Sequence, residues 1–354
     1  MRRILFLALI LAAAFDGLAQ NCAQTLRLAR STYDQGRLHE LPALMKDCLD
    51  PKKTDGFTKQ EKVEAYKLLT MSYIYLEEPE KADSAMLLLL RTDPYFLPNE
   101  NIDPQEFLGL YKTFRTDPVY RVGLKAGVAF SQPNVTSSTP VTSGDTKYEN
   151  QLGIVAGATF EIPVLKKFVL NPEVLFFSRR FGQVDNINQN SSIVPEVLSW
   201  ASIPVSLQYE FFKEKFKKNE RKVMPYVSLG MQTDFLLSAS QEATTERTGS
   251  ATITPQTYDN SALRKKIMFS ALLSAGVKIK AGPGLLVGEV RYAYGLTPVT
   301  DASSVFGNQL LTFNNYIGPS IYTVSSLAVT VSYGYNIFKP KKLTRKVRTS
   351  IKKK

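Results

Sequence analysis

The sequence lacks any apolar run of the roughly 20 residues that a membrane-spanning helix needs. The longest apolar run, residues 4–15, follows two arginines and precedes the small residues of Gly17-Leu18-Ala19. This order is typical of a secretory signal peptide. We therefore predict an exported protein with a signal peptide over residues 1–19, and a retained anchor is the alternative.

Histidine and cysteine are scarce. His39 is the only histidine, and Cys22 and Cys48 are the only cysteines. Histidine-based catalysis is therefore excluded in residues 117–338, which lack histidine, and the sequence contains no Gly-x-Ser-x-Gly elbow. Two thiols and one imidazole also make a poor zinc site. We predict no enzyme activity, cofactor or metal, although paired carboxylates such as Glu173 and Asp234 leave a histidine-independent enzyme open.

The two cysteines fit an exported domain. Cys22 begins the first predicted helix and Cys48 ends the second, so antiparallel packing would bring them together. In an oxidising compartment we expect a disulfide worth roughly 3 kcal/mol. Two free buried thiols are the alternative.

Acidic residues are absent from the end of the chain. The formal charge is +12, and residues 339–354 carry nine of the basic residues: Lys339, Lys341, Lys342, Arg345, Lys346, Arg348, Lys352, Lys353 and Lys354. The charge therefore says little about the folded part, and we predict no nucleic-acid partner. Three interpretations of this basic periplasmic tail stay open: binding to anionic lipid head groups, contact with an acidic periplasmic surface, and a solvated disordered segment.

Apolar residues at helical spacing predict a periplasmic helical domain over residues 20–116. Its second hairpin resembles a tetratricopeptide repeat, a pattern carried by Tyr66, Leu69, Thr70, Tyr73, Ala82, Met86, Leu89 and Pro94. The resemblance implies a partner-binding platform. A structural spacer is an equal alternative. A fifth helix, over about residues 104–114, is expected to cap the stack.

From Val119 onward the apolar period changes to two, which predicts strands. Eight segments follow this pattern, at about 119–131, 149–163, 167–182, 195–211, 223–238, 264–280, 284–297 and 322–338. Long polar links alternate with short ones, as in outer-membrane barrels with outer loops and periplasmic turns. The predicted fold class is α+β: N-terminal helical hairpins followed by an eight-stranded antiparallel transmembrane β-barrel over residues 117–338.

The alternation assigns each strand residue to the lumen or to lipid. Ten charged residues take the lumen side: Arg121, Lys125, Glu161, Glu173, Arg179, Glu210, Asp234, Lys278, Glu289 and Arg291. Five aromatic residues are predicted to form girdles at the membrane interfaces: Tyr292, Tyr294, Tyr333, Tyr335 and Phe338. Buried charges must pair, so we expect a salt-bridged, closed lumen, with a gated polar path as the alternative.

Short motifs give a family resemblance over about residues 104–338. The sequence resembles the Bacteroidetes outer-membrane barrels called PorT-like. The resemblance is carried by four motifs: Phe107-Leu108-x-Leu110-Tyr111-x-x-Phe114, Val122-Gly123-Leu124-Lys125-Ala126-Gly127, Asn171-Pro172-Glu173-Val174-Leu175-Phe176-Phe177 and Ser202-Ile203-Pro204-Val205. The resemblance implies residence in the outer membrane and, more weakly, a part in protein secretion. We predict a non-enzymatic outer-membrane scaffold whose helical domain binds a periplasmic protein or peptide, within a secretion or envelope-maintenance complex. A narrow or gated transport protein is the alternative.

Overall fold

The computed structural model describes residues 16–51, 55–138, 146–165, 167–187, 190–212, 223–246, 256–304, 307 and 320–343. The chain forms two compact units, Met1–Pro118 with Phe338–Lys354, and Val119–Ile337. Residues 1–15 of the predicted signal peptide lie outside the described part.

The first unit contains five α-helices in its described residues: α1 (Asp16–Asp34), α2 (Leu41–Leu49), α3 (Lys59–Tyr75), α4 (Pro79–Thr92) and α5 (Gln105–Lys112). Gly36 has a φ of 74° in the connection between α1 and α2, a conformation that glycine adopts without steric cost. Thr58 and Glu61 form a capping box that starts α3. α1 begins at Asp16, inside the segment predicted as a signal peptide.

The helices pack around one apolar core. Its fully buried members include Leu41, Met45, Met86 and Phe107. Cys22 in α1 and Cys48 in α2 are joined by a disulfide, with their Cα atoms 5.7 Å apart. The disulfide therefore links the two helices of the first hairpin near the ends that were predicted to lie together.

The chain returns to this helical unit after the last barrel strand, which corrects the predicted domain boundary at residue 338. Lys341–Lys342 pairs antiparallel with Phe114–Arg115. The Phe338 ring packs edge-on against Tyr95 at a centroid distance of 4.8 Å. Residues 338–343 therefore belong to the helical unit, and Phe338 does not join the aromatic girdle.

The second unit is a closed antiparallel sheet. Its strands are β1 (Tyr120–Ser138), β2 (Thr146–Pro163), β3 (Phe168–Ile187), β4 (Asn190–Glu210), β5 (Val223–Glu246), β6 (Ile267–Ala281), β7 (Gly284–Gly295) and β8 (Ser320–Ile337). Each pairs with its chain neighbours, and β8 pairs with β1 to close the ring of eight. Because Tyr120 pairs with Ile337, the sheet begins and ends on the same side.

The strands extend further at the opposite end than the alternation predicted. Pairing of β3 with β4 continues to Ile187 and Asn190, so most of the predicted link 183–194 is a hairpin. β5 continues to Glu246, and the short strand Gln256–Asp259 pairs with its end. This extension was not predicted, because polar side chains interrupt the apolar alternation there while the backbone pairing continues.

The two faces of the sheet differ in chemistry. Outward residues are apolar and exposed, with Leu124 at 74% and Leu229 at 67%, whereas inward residues are buried. An apolar outer face and a polar interior is the arrangement of a membrane barrel. Among the described helices, none has the length and hydropathy of a membrane span.

Candidate functional sites

The barrel interior holds a first group of charges near the end where the chain enters and leaves. This Lys278 cluster consists of Arg121, Glu161, Glu210 and Lys278. The Lys278 ammonium lies 3.0 Å from Glu161 and 2.9 Å from Glu210, and Arg121 lies 2.6 Å from Glu161. Each member contacts at least one opposite charge, so two cations balance two carboxylates.

A second group, the Glu289 cluster, consists of Lys125, Glu173, Glu289 and Arg291. Lys125 lies 2.6 Å from Glu173 and 3.1 Å from Glu289. Arg291 lies 2.7 Å from Glu173 and 2.8 Å from Glu289, which closes a four-membered ring of ion pairs. Tyr226 donates a hydrogen bond of 2.6 Å to Glu289.

A third group, the Arg179 pair, joins Arg179 to Asp234 at 2.7 Å, with both side chains at 0% exposure. The guanidinium also lies 4.8 Å from the ring centre of Phe177 and 5.7 Å from that of Trp200. Asp234 accepts a further hydrogen bond of 2.7 Å from Gln232. The pair is thus held by polar and aromatic contacts on several sides.

A fourth group, the Glu196 pair, was not predicted from the sequence. Arg264 lies 2.7 Å from Glu196, which also accepts hydrogen bonds of 2.8 Å from Tyr322 and 3.0 Å from Gln241. Alternation alone could have found Glu196, since it shares the parity of the inward residues Ser202 and Glu210. Arg264 begins the predicted segment 264–280 and shares the parity of the inward residue Lys278, so the alternation could have found it too; in the structure it precedes β6 and forms an isolated bridge to Thr300.

These four groups bring together all ten lumen charges predicted from the sequence. Within the described residues, six buried cations face six buried carboxylates, and each group is neutral by itself. Buried carboxylates are stable only when paired and hydrogen-bonded. Charged side chains therefore crosslink the interior between strands that are distant in sequence. No cluster of potential metal ligands occurs in the described part of the chain.

Four of the five predicted girdle residues lie on the outer face of the barrel. Tyr292, Tyr294, Tyr333 and Tyr335 are all exposed there. Tyrosine favours membrane interfaces because its ring is apolar and its hydroxyl is polar. The fifth, Phe338, lies in the helical unit.

The helical unit carries a groove of about 490 Å³ between α2, α3 and α4. Its walls combine apolar and charged residues: Pro42, Lys46, Asp47, Leu49, Asp50, Pro51, Tyr66, Leu69, Tyr73, Lys81, Ser84, Ala85 and Leu88. Burial raises the pKa of both Tyr66 and Tyr73 above the usual value for tyrosine. Leu88 is 41% exposed, an apolar side chain open to a ligand.

The predicted basic tail is divided by the structure. Lys339, Lys341 and Lys342 belong to the described segment that returns to the helical unit. Lys342 forms an ion pair with Asp83 of α4, and the Lys339 carbonyl accepts a hydrogen bond of 2.8 Å from Arg115. The other six basic residues lie outside the described residues: Arg345, Lys346, Arg348, Lys352, Lys353 and Lys354.

A closed antiparallel barrel with an apolar outer face and a paired, buried interior defines an integral outer-membrane protein. The chain matches the outer membrane protein beta-barrel domain over residues 119–301 and belongs to that family. It is a β-barrel protein of the cell outer membrane.

Several solved barrels are similar in fold. Neisserial surface protein A matches at 13% identity and a TM-score of 0.30, over 62% of this chain and 97% of that one. OprG from Pseudomonas aeruginosa matches at 11% identity and a TM-score of 0.35, over 63% and 98%. Ail of Yersinia pestis matches at 10% identity and a TM-score of 0.25, over 62% and 99%. A search of curated proteins gave no match.

Proposed function

We propose that this protein is a non-catalytic outer-membrane scaffold whose helical unit faces the periplasm and binds a partner polypeptide. The groove between α2, α3 and α4 carries the proposal. It combines an apolar floor, which includes Leu69 and Ala85, with charged walls at Lys46 and Asp50. An apolar pocket with a few polar groups is the usual form of a binding site.

The periplasmic side is inferred from the barrel. Its first strand begins and its last strand ends on one side, and the connections on that side include the short links after Pro163 and Ala281. Short turns mark the periplasmic end of outer-membrane barrels. The sequence-level resemblance to PorT-like proteins adds secretion or envelope maintenance as the proposed setting.

The alternative, a narrow or gated transport protein, has less support. Ion pairs between distant strands cross the interior at several levels, and eight strands leave room for little more than side chains. Opening a path would require separating buried, neutral groups of charges. We therefore expect no conductance from the protein in a planar bilayer, and a reproducible current would favour transport.

The direct experiment captures periplasmic proteins on the full-length protein held in lipid nanodiscs. Substitution Leu88→Arg places a charge in the groove at an exposed position, so the fold should tolerate it. The matched control is Leu28→Arg on α1, where leucine is 52% exposed and lies outside the groove.

We expect one captured protein to be lost with Leu88→Arg and retained with Leu28→Arg. If neither substitution changes the captured proteins, or if no protein is captured specifically, a partner site in this groove is refuted. The full chain is required, because residues 338–343 belong to the helical unit and a fragment of residues 20–116 would lack them.

A further inference from the structure

The floor of the groove between α2, α3 and α4 follows one face of α3. Tyr66, Leu69 and Tyr73 line it, at spacings of three and four residues that place all three side chains on that face. At 1.5 Å per residue, the two tyrosines lie about 10 Å apart along the helix. Ala85 and Leu88 of α4 add apolar surface to the same groove. The groove is therefore a short apolar floor with a tyrosine at each end of its α3 side.

The two tyrosine hydroxyls are the polar groups of this floor. Both rings are partly buried, and neither hydroxyl forms a hydrogen bond with another described residue. The Lys81 ammonium lies 5.7 Å from the centre of the Tyr73 ring and 2.8 Å from Glu78, so this cation covers one side of the ring and is balanced locally. A phenol hydroxyl donates one hydrogen bond. The floor thus presents two donors, about 10 Å apart, to the backbone of a ligand.

The backbone of the groove offers a ligand little. Within a helix the amides and carbonyls bond to one another, so α3 and α4 contribute side chains only. A ligand that adds a β-strand needs a free strand edge, and a helical ligand already uses its own carbonyls. A segment in the polyproline II conformation has no internal hydrogen bonds, so its carbonyls can accept from the two hydroxyls.

The dimensions of a polyproline II segment also match the groove. This conformation has three residues per turn and rises 3.1 Å per residue, so equivalent positions recur about every 9.3 Å. The repeat is close to the distance between Tyr66 and Tyr73. Proline-rich segments dock into aromatic-lined grooves, because their preformed conformation loses little entropy on binding.

One charged wall residue indicates the charge of the ligand. Lys46 on α2 is exposed and, unlike Lys81, forms no ion pair within the described part of the chain. The neighbouring carboxylates of Asp47 and Asp50 have interactions of their own. An acidic side chain next to the proline-rich stretch would therefore find a cation in Lys46.

We propose that the partner of this groove is a proline-rich polypeptide segment in the polyproline II conformation, with an acidic residue at its flank. Tyr66 and Tyr73 donate to carbonyls one turn apart, Leu69 and Leu88 contact the proline rings, and Lys46 pairs with the acidic side chain. This inference names the class of partner and rests on the proposed function of the groove.

The first test is a selection that assumes no sequence. Random peptides of about twelve residues, enough for four turns of polyproline II, are displayed on phage and selected on the full-length protein in lipid nanodiscs. Counter-selection on the Leu88→Arg variant removes peptides that bind elsewhere. We expect enriched sequences to carry prolines three positions apart and an acidic residue at one flank. Enrichment of amphipathic helical sequences, of sequences without proline, or of none would overturn the inference.

The second test titrates the best selected peptide, fluorescently labelled, against variants of the full-length protein by fluorescence polarisation. Tyr66→Phe and Tyr73→Phe should each weaken binding about threefold to tenfold, the effect of one hydrogen bond. The matched control is Tyr75→Phe, at a tyrosine that is 50% exposed on α3 and lies outside the groove; it should leave the Kd unchanged. Binding that neither groove variant weakens would overturn the role of the hydroxyls.

A charge exchange tests Lys46. The Lys46→Glu variant should bind a peptide with lysine in place of its acidic residue better than the original peptide, whereas the unmodified protein should prefer the original. The control Lys62→Glu, on α3 outside the groove, should keep the original preference. An unchanged preference in Lys46→Glu would overturn the acidic flank.

These outcomes separate this inference from the proposed function. If the selected peptides depend on Leu88 but lack proline, the partner site stands and the proposed class of partner is wrong. If a periplasmic protein depends on Leu88 while no peptide does, the partner site again stands and the inference fails. If neither depends on Leu88, both fail.

Discussion

The Arg179 pair allows a quantitative test of how the barrel interior is stabilised. Arg179 and Asp234 are fully buried and 2.7 Å apart, on β3 and β5. Substitution Arg179→Met leaves the Asp234 carboxylate without its cation. Substitution Asp234→Asn leaves a buried guanidinium beside a neutral amide and the rings of Phe177 and Trp200, without its carboxylate partner.

Each single substitution should cost about 3–5 kcal/mol, because removing one partner leaves an uncompensated buried charge. The double variant, Arg179→Met with Asp234→Asn, buries no charge and retains an amide that can accept the hydrogen bond from Gln232. Its loss should be only about 1–2 kcal/mol, since replacing both members of a buried pair is often nearly neutral. The sum of the losses in unfolding free energy of the two single variants should therefore exceed the loss of the double variant by several kcal/mol.

The assay is reversible urea unfolding of the protein in lipid vesicles. Mobility of unboiled samples on a denaturing gel reports the folded barrel, and Trp200, the only tryptophan, gives a fluorescence signal from the same site. The matched control is Arg180→Met, the same change at the next residue, which is exposed on the barrel; it should change stability by less than about 0.5 kcal/mol. Losses that add up in the double variant, or single losses as small as the control, would refute the argument.

Three further predictions concern the helical unit. Breaking the disulfide between Cys22 and Cys48 should lower its unfolding free energy by about 3 kcal/mol; an unchanged urea midpoint with reductant would contradict this. Burial raises the pKa of Tyr111 from its usual value of 10.0 to about 12. The fold thus favours the protonated phenol, and this stability is complete below pH 10 and lost as the pH rises through about 12; circular dichroism should show a smaller alkaline loss for Tyr111→Phe. Phe338→Ala removes the ring that packs on Tyr95 and should destabilise this unit by about 1–2 kcal/mol without changing the gel mobility of the barrel; loss of the barrel band would instead place Phe338 in the membrane girdle.

The inward face of the barrel could be predicted because a strand alternates strictly between two faces. The alternation in β1 assigned one set of alternate residues to the lumen, so Arg121 and Lys125 were both predicted to face inward. Their partners could not be predicted from the sequence. Lys125 contacts Glu173 on β3 and Glu289 on β7, and these contacts depend on strand order, register and tilt in the closed sheet.

The return of the chain to the helical unit left no local signal. Residues 338–343 contain three lysines and a proline, which is the composition of a solvated tail. Their structure depends on partners more than 200 residues earlier, such as Arg115, whose side chain donates to the Lys339 carbonyl. A contact of this kind follows from the three-dimensional position of both strand ends, which composition does not encode.

This return has a consequence for the order of assembly. The helical unit gains Phe338, Lys341 and Lys342 only after all eight strands have been synthesised. The pairing of Lys341–Lys342 with Phe114–Arg115 and the ion pair with Asp83 both depend on these residues. Because β8 immediately precedes them and must pair with β1 to close the sheet, completion of the helical unit and closure of the barrel draw on the same final stretch of chain.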